Sequence, residues 1–178
     1  MTEDLKKYSD EAVAIRRALH RRPEEGWTEF ETTWRVVTEL ERMGYAVRCG
    51  REVIDPEHAL GRSEALVREG EERALAQGVP QAFLERLAHY TGAVAELDTA
   101  RPGPVTAFRF DIDCVLVTES ADASHAPAAC GFASERPGFM HACGHDAHAA
   151  SGLALAHWAI EHRDELCGRL RFIFQPAE

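Results

Sequence analysis

The stretch Phe139-Met140-His141-Ala142-Cys143-Gly144-His145-Asp146-Ala147-His148-Ala149-Ala150-Ser151-Gly152 decides the reading of this chain. It sets three histidines, a cysteine and an aspartate between His141 and His148 in the pattern H-x-C-G-H-D-x-H, and then runs straight into Leu153-Ala154-Leu155-Ala156. The apolar continuation predicts a buried helix from 146 to about 163. A cluster of metal-type donors therefore sits where a loop enters a helix, whose N-terminal amides and dipole lower the pKa of a nearby thiol.

Strands flank this helix on both sides in sequence. Gly92–Leu97 and Val105–Phe110 read as adjacent strands joined by the turn Arg101-Pro102-Gly103-Pro104, and Gly168–Phe174 reads as a buried strand leading to Gln175-Pro176-Ala177-Glu178. The second strand runs into Asp111-Ile112-Asp113, so its acidic residues lie at the strand end where open α/β sheets place their sites. Between this strand and the cluster, residues 118–138 lack periodicity and predict a loop near the site.

Toward the N-terminus, Leu5, Tyr8, Ala12, Ile15 and Leu19 recur at helical spacing and Pro23 stops them, which predicts a helix over 3–21. Thr28-x-x-Glu31 has the form of a capping box for a second helix with the apolar stripe Phe30, Trp34, Val37 and Leu40, closed by Gly44. Tyr45–Cys49 follows as a short strand. Residues 50–90 change character: charged, helix-forming segments at 64–76 and 81–89 predict a helical hairpin inserted before the sheet continues, read as a solvated excursion on the surface.

Composition narrows the class. The 178 residues are 45% hydrophobic and 28% charged, ordinary for a globular protein. A formal net charge of −10 argues against nucleic acid and anionic membranes as partners. Met1–Lys7 has no apolar core of a secretory signal, and the longest apolar run, Ala149–Ile160, is too short to span a bilayer, so a cytoplasmic protein is expected. Five scattered cysteines do not form a disulfide framework, and of these only Cys143 has ligand neighbours.

Cys143-x-His145 brings a thiolate and an imidazole to one tight loop, donors that suit zinc, manganese or cobalt. A closed structural zinc site would need a second ligand pair, which the sequence lacks; an open catalytic site completed by distant residues fits better, with Asp146 or His148 fixing ring orientation. Two other readings stand beside it: polar residues that merely cap the helix, and Cys143 as a nucleophile with His145 as its base. Asp111 and Asp113 read equally as turn formers or site residues. Glu178 lies at the same sheet end, where a carboxylate near a metal-bound water can take its proton. Glu119 reads as a solvated loop charge, His20 as a helix-end residue open to substrate contact, His157 as a satisfied core histidine, and Trp27 and Trp34 as packing residues.

Four ordered motifs carry a family resemblance: Arg17-x-x-His20-Arg21-x-Pro23-Glu24, Phe108-Arg109-x-Asp111-x-Asp113, Met140-His141-Ala142-Cys143-Gly144-His145-Asp146-x-His148 and Phe174-Gln175-Pro176-Ala177-Glu178. Together they resemble the amidohydrolase branch of the dinuclear metallopeptidases related to aminoacylase and glutamate carboxypeptidase. Within that branch, Gly50-Arg51-Glu52-Val53, the helical insertion, Leu97–Val105 and Gly131–Ser134 are most similar to members that release glutamate from an aromatic acyl group.

The resemblance implies an α/β fold, a three-layer αβα catalytic domain of zinc-peptidase type with 50–90 as a helical insertion. It implies Cys143 and His145 as metal ligands, Glu178 as general base, and Asp111, Asp113, His141, Asp146 and His148 as supporting or substrate-binding residues. Manganese or zinc, two ions per site, is the implied cofactor; an N-acyl amino acid the implied substrate; a second hydrolase subunit or a homodimer the implied assembly. Cys114-Val115 replaces the family's Ala-Leu and Ile112 its common Met, both conservative in size. Family members continue with a glutamate ligand next to the base, further histidine ligands, a lid and dimerisation domain and the second half of the catalytic domain. The expectation is thus an N-terminal half, from a truncated reading frame, with little or no activity alone and an open sheet edge along 169–175.

Overall fold

The computed structural model describes residues 3–178. Helices α1 (Glu3–Arg21) and α2 (Phe30–Arg42) lead into strand β1 (Val47–Cys49) and then into helices α3 (Glu64–Ala76) and α4 (Gln81–Leu87). Strands β2 (Ala93–Asp98) and β3 (Val105–Asp111), the short helix α5 (Ala126–Ala129), the long helix α6 (His145–Glu161) and strand β4 (Arg169–Gln175) complete the chain. The strands form one mixed sheet in the order β1-β2-β4-β3, in which β4 runs antiparallel to β2 and parallel to β3.

Alternation along the strands gives the sheet two unlike faces. Cys49, Ala93, Ala95, Leu97, Phe172 and Phe174 are buried beneath α2 and α6, and α1 lies on α6. Burying each of the two phenylalanine rings is worth about 1.5–3 kcal/mol. The opposite face carries Arg48, Val94, Glu96, Arg109, Arg171 and Ile173, none of them fully buried, with Glu96 accepting from Arg171 at 2.7 Å. The fold is α/β as expected, with its helices gathered on one face among the described residues.

Helix α6 can lie close to the strands because its inner face is small. Ala149, Gly152, Leu153 and Ala156 are buried at helical spacing, and a Cβ at Gly152 would come within 2.6 Å of the Phe110 ring. Its start requires a glycine: Gly144, the residue before the first turn, has φ +84°.

Three expectations are corrected. β2 and β3 are not neighbours, because β4 inserts between them. The Thr99–Pro104 turn strides over the start of β4, where Thr99 Oγ1 donates to the Gly168 carbonyl at 2.8 Å and Gly103 backs onto the Gly168 backbone. β4 is therefore a central strand, and the edges of the sheet are β1 and β3. Second, the capping box does not form: Thr28 Oγ1 donates to the Glu25 carbonyl, and the first-turn amides of Glu31 and Thr32 donate instead to the Glu24 carboxyl at 3.2 and 2.8 Å. Third, residues 50–90 are no solvated excursion. Val67, Ala74, Val79, Leu84 and Leu87 are buried in the main core, where the charged positions of α3 and α4 hid an apolar stripe.

Candidate metal centre

Parallel pairing of β3 with β4 brings Asp111 opposite Gln175, so both strands end at the same edge of the sheet. Asp111 closes β3, Asp113 lies two residues on, and Glu178 follows β4 by three residues. The first turn of α6 arrives at this edge with His145, and His148 follows one turn later on the same side.

Asp111, His145 and His148 each present a donor atom, and the three atoms lie within 4.8 Å of one another. His145 is oriented by Asp113: its Nδ1 lies 2.9 Å from Asp113 Oδ1 and 3.1 Å from the Asp113 carbonyl. Both partners can only accept, so Nδ1 donates and Nε2 is turned toward the cluster, the arrangement of a metal-ligating histidine with a carboxylate behind it. His145 and His148 stack with ring centroids 5.1 Å apart, and His148 Nδ1 lies 3.4 Å from Asp111 Oδ2. Asp111 is buried and pairs with Arg109, its Oδ1 lying 3.0 Å from Nε and its Oδ2 accepting from Nη2 at 3.2 Å. A buried carboxylate beside two convergent imidazoles is a donor set that fits a divalent cation.

Glu178 reaches the same cluster. Its Oε2 lies 3.3 Å from His145 Nε2, and its Oε1 accepts from Arg109 Nη2 at 3.0 Å. Glu29 braces the turn that carries it: Glu29 Oε1 accepts from the Ala177 amide at 2.9 Å and Oε2 from Thr91 Oγ1 at 2.7 Å. Burial pushes the Glu29 carboxyl up to about 8 and that of Glu24 up to about 7. Cys143 is exposed two residues before His145, and its sulfur is not among the three convergent donors.

Behind the cluster the first turn of α6 is anchored by Asp146, which is fully buried. Its Oδ2 accepts from His20 Nδ1 at 2.8 Å and from Arg16 Nε at 3.1 Å, and its Oδ1 from the Ala147 amide. His20 lies in the last turn of α1 as expected, but it is buried and not open to substrate, and its Nε2 meets Glu119 Oε1 at 2.8 Å. Glu119 in turn is not solvated: it also accepts from His125 and from the Ser134 amide. His141 is buried with neither ring nitrogen hydrogen-bonded, and burial pulls it down to about 4, so it is neutral at pH 7. His157 is satisfied as expected, by Glu11 at 2.7 Å, on the α1–α6 seam.

Arg109, Glu29, Glu119 and His20 are contributors whose roles the sequence alone does not reveal. Arg109 and His20 stand inside the family motifs, but nothing in residue type or spacing marks Glu29 or Glu119 for burial.

Residues 107–178, which carry this carboxylate–imidazole cluster at the edge of a mixed sheet, match the profile of Peptidase family M20/M25/M40. Among the relatives of the chain is a Haemophilus influenzae homolog of one of the subunits of p-aminobenzoyl-glutamate hydrolase, 44% identical over 95% of this chain and 40% of that protein. The solved structure of the aminobenzoyl-glutamate utilization protein from Klebsiella pneumoniae superposes with a TM-score of 0.77 at 33% identity, covering 99% of this chain and 38% of that one. A dinuclear metal-binding peptidase of the M20 family from Bacillus subtilis gives 0.66 at 34% identity, over 97% of this chain and 36% of that one. The chain thus spans about two fifths of the length of the curated relative named here.

Proposed function

We propose that this chain supplies the amino-terminal part of a metal-dependent amidohydrolase that cleaves p-aminobenzoyl-glutamate to p-aminobenzoate and glutamate. The observation that carries this reading is the convergence of Asp111, His145 and His148 beside Glu178. The substrate rests on the likeness to the Haemophilus and Klebsiella proteins.

A divalent ion, manganese or zinc, supplies a polarised carbonyl and a water of lowered pKa when bound. Asp111, His145 and His148 would hold it, and Cys143, exposed two residues before His145, is the further ligand that the resemblance implies. Asp113 fixes the His145 ring through Nδ1 and so aims Nε2 at the cluster. Glu178 Oε2 takes the proton of the attacking water and passes it to the leaving nitrogen, while Arg109 holds the other oxygen still. Three convergent donors are too few for two ions, so further ligands come from outside these residues, and the isolated chain turns over slowly. A partner chain fits the name of the Haemophilus relative, which marks it as one subunit of an enzyme, and the five unpaired cysteines fit the cytoplasm.

The test is a chimera in which residues 1–178 replace the matching part of the Haemophilus relative. Chelator-sensitive release of glutamate from p-aminobenzoyl-glutamate is expected; a folded, metal-loaded chimera that leaves this substrate intact contradicts the assignment. A second reading, a non-catalytic subunit that binds another chain, draws on the edge strand β3, whose Val105 is half exposed. A metal-free hetero-complex in solution would favour it.

A further inference from the structure

His20 is bonded in a way that fixes its charge. Asp146 Oδ2 and Glu119 Oε1 each lie 2.8 Å from one of its ring nitrogens, and the residue is 1% exposed. With Asp146 and Glu119 both ionised, each can only accept, so both nitrogens carry protons and the ring is an imidazolium. The groups around it agree with that state. Asp146 also faces Arg16 of α1, Glu119 also faces His125, the His141 ring lies 6.4 Å away between centroids, and Phe132 presents an edge contact at 5.5 Å. The two carboxylates outweigh burial and hold His20 above the ordinary imidazole range, while His20 helps hold both of them below theirs.

The three partners belong to three separate segments. His20 lies in the last turn of α1, Glu119 lies in the long loop between β3 and α6, and Asp146 sits in the first turn of α6, next to His145. The loop is pinched at its base by the bridge between Val115 and Met140. It is fastened again by the Glu135 amide to the Arg21 carbonyl and by Arg136 to Glu25, contacts that reach the N-terminal segment but not α6. Only the Glu119–His20–Asp146 chain joins the middle of the loop to the first turn of α6 through side chains among the described hydrogen bonds.

We propose that His20 is a positioning residue: a buried imidazolium pin that couples the conformation of loop 116–138 to the first turn of α6, and so to the aim of His145 and His148. As a determinant of metal geometry it rests on the reading of these histidines as ligands; as a mechanical link it does not. A rearrangement of the loop, such as contact with a substrate or partner would bring, is thereby transmitted to the ligand-bearing turn. Loss of the pin leaves two carboxylates buried with no cation between them, so the loop and the turn separate.

Two measurements on the 178-residue chain test this. In 15N-resolved spectra of the histidine rings, His20 is expected to show both nitrogens protonated at pH 7 and to deprotonate above an unpaired imidazole; a single protonated nitrogen at pH 7 overturns the pin. In Glu119→Ala, which keeps the Arg21 and Arg136 fastenings, amide hydrogen exchange is expected to rise together in 116–138 and in 145–149, by about tenfold, with β2 and β4 unchanged. Faster exchange in the loop alone overturns the coupling. His20→Lys, which restores a cation between the carboxylates, is expected to recover slow exchange in 145–149 where His20→Gln does not; equal behaviour of the two variants also overturns it. Manganese titration of the wild type separates the two claims: absence of binding sinks the metal reading, while the spectra and the exchange rates decide the pin.

Discussion

At the scale of the residue, the site is a set of carboxylates that each do something different because of what surrounds them. Asp113 orients His145, Asp111 is buried against Arg109 beside the two imidazoles, and Glu178 stays half exposed where water can reach it. Glu178→Gln, introduced into the chimera, is expected to keep metal binding and to lower turnover about 100-fold or more, since the amide cannot take a proton. A rate within a factor of a few of the parent, at equal metal content, would remove Glu178 from the role of base. The motif residues at this site were legible because imidazoles, a thiol and carboxylates are rarely so dense without a task. Their partners were not. Glu119 and His20 look like ordinary polar residues, and their burial follows from an encounter between segments 99 residues apart that no local pattern encodes.

At the scale of the element, local periodicity gave the longer helices nearly to their ends, α1 over 3–21 included, while the short α5 within the loop and the strand order escaped it. Pairing is decided by long-range contact. β2 and β3 have turn residues between them that suit a hairpin, yet β4, richer in large apolar side chains, takes the place between them. The capping box shows the same limit, since Glu24 from the preceding turn outcompetes Thr28 for the first amides of α2. The contact of α6 with the sheet gives a test at this scale. Gly152→Val gains a few tenths of a kcal/mol in helix propensity but drives a side chain into Phe110 and Phe174, at 2.6 and 2.9 Å from the Cβ position. Overpacking wins, so a loss of about 1–3 kcal/mol in urea unfolding is expected. Unchanged stability would mean that α6 sits farther from the strands than described.

At the scale of the whole molecule, buried ionisable groups tie stability to pH. Glu24 and Glu29 are raised by burial to about 7 and about 8, so between the unfolded carboxyl range near 4.3 and these values the native state holds protons that the unfolded chain has released. Stability from both groups therefore falls as pH rises through that interval. His20, also raised, acts in the same sense: its contribution is complete below about 6.5 and is lost as pH climbs through its folded value. His141, pulled down to about 4, opposes them only below about 6.5. The melting temperature of the metal-free chain should thus drop between pH 6.5 and 8.5, and Glu29→Gln should flatten the drop; a rise over this range would show that these groups are not buried as described.

These scales meet in the metal centre, and calorimetric titration of the chain with manganese and zinc tests it most directly. Stoichiometric binding by the wild type is expected, weakened about 100-fold or more in His145→Ala and also reduced in His148→Ala and Asp111→Asn, with Cys143→Ser reporting whether the sulfur joins them. Absence of binding in the wild type, or affinity unchanged by the loss of His145, would contradict the account.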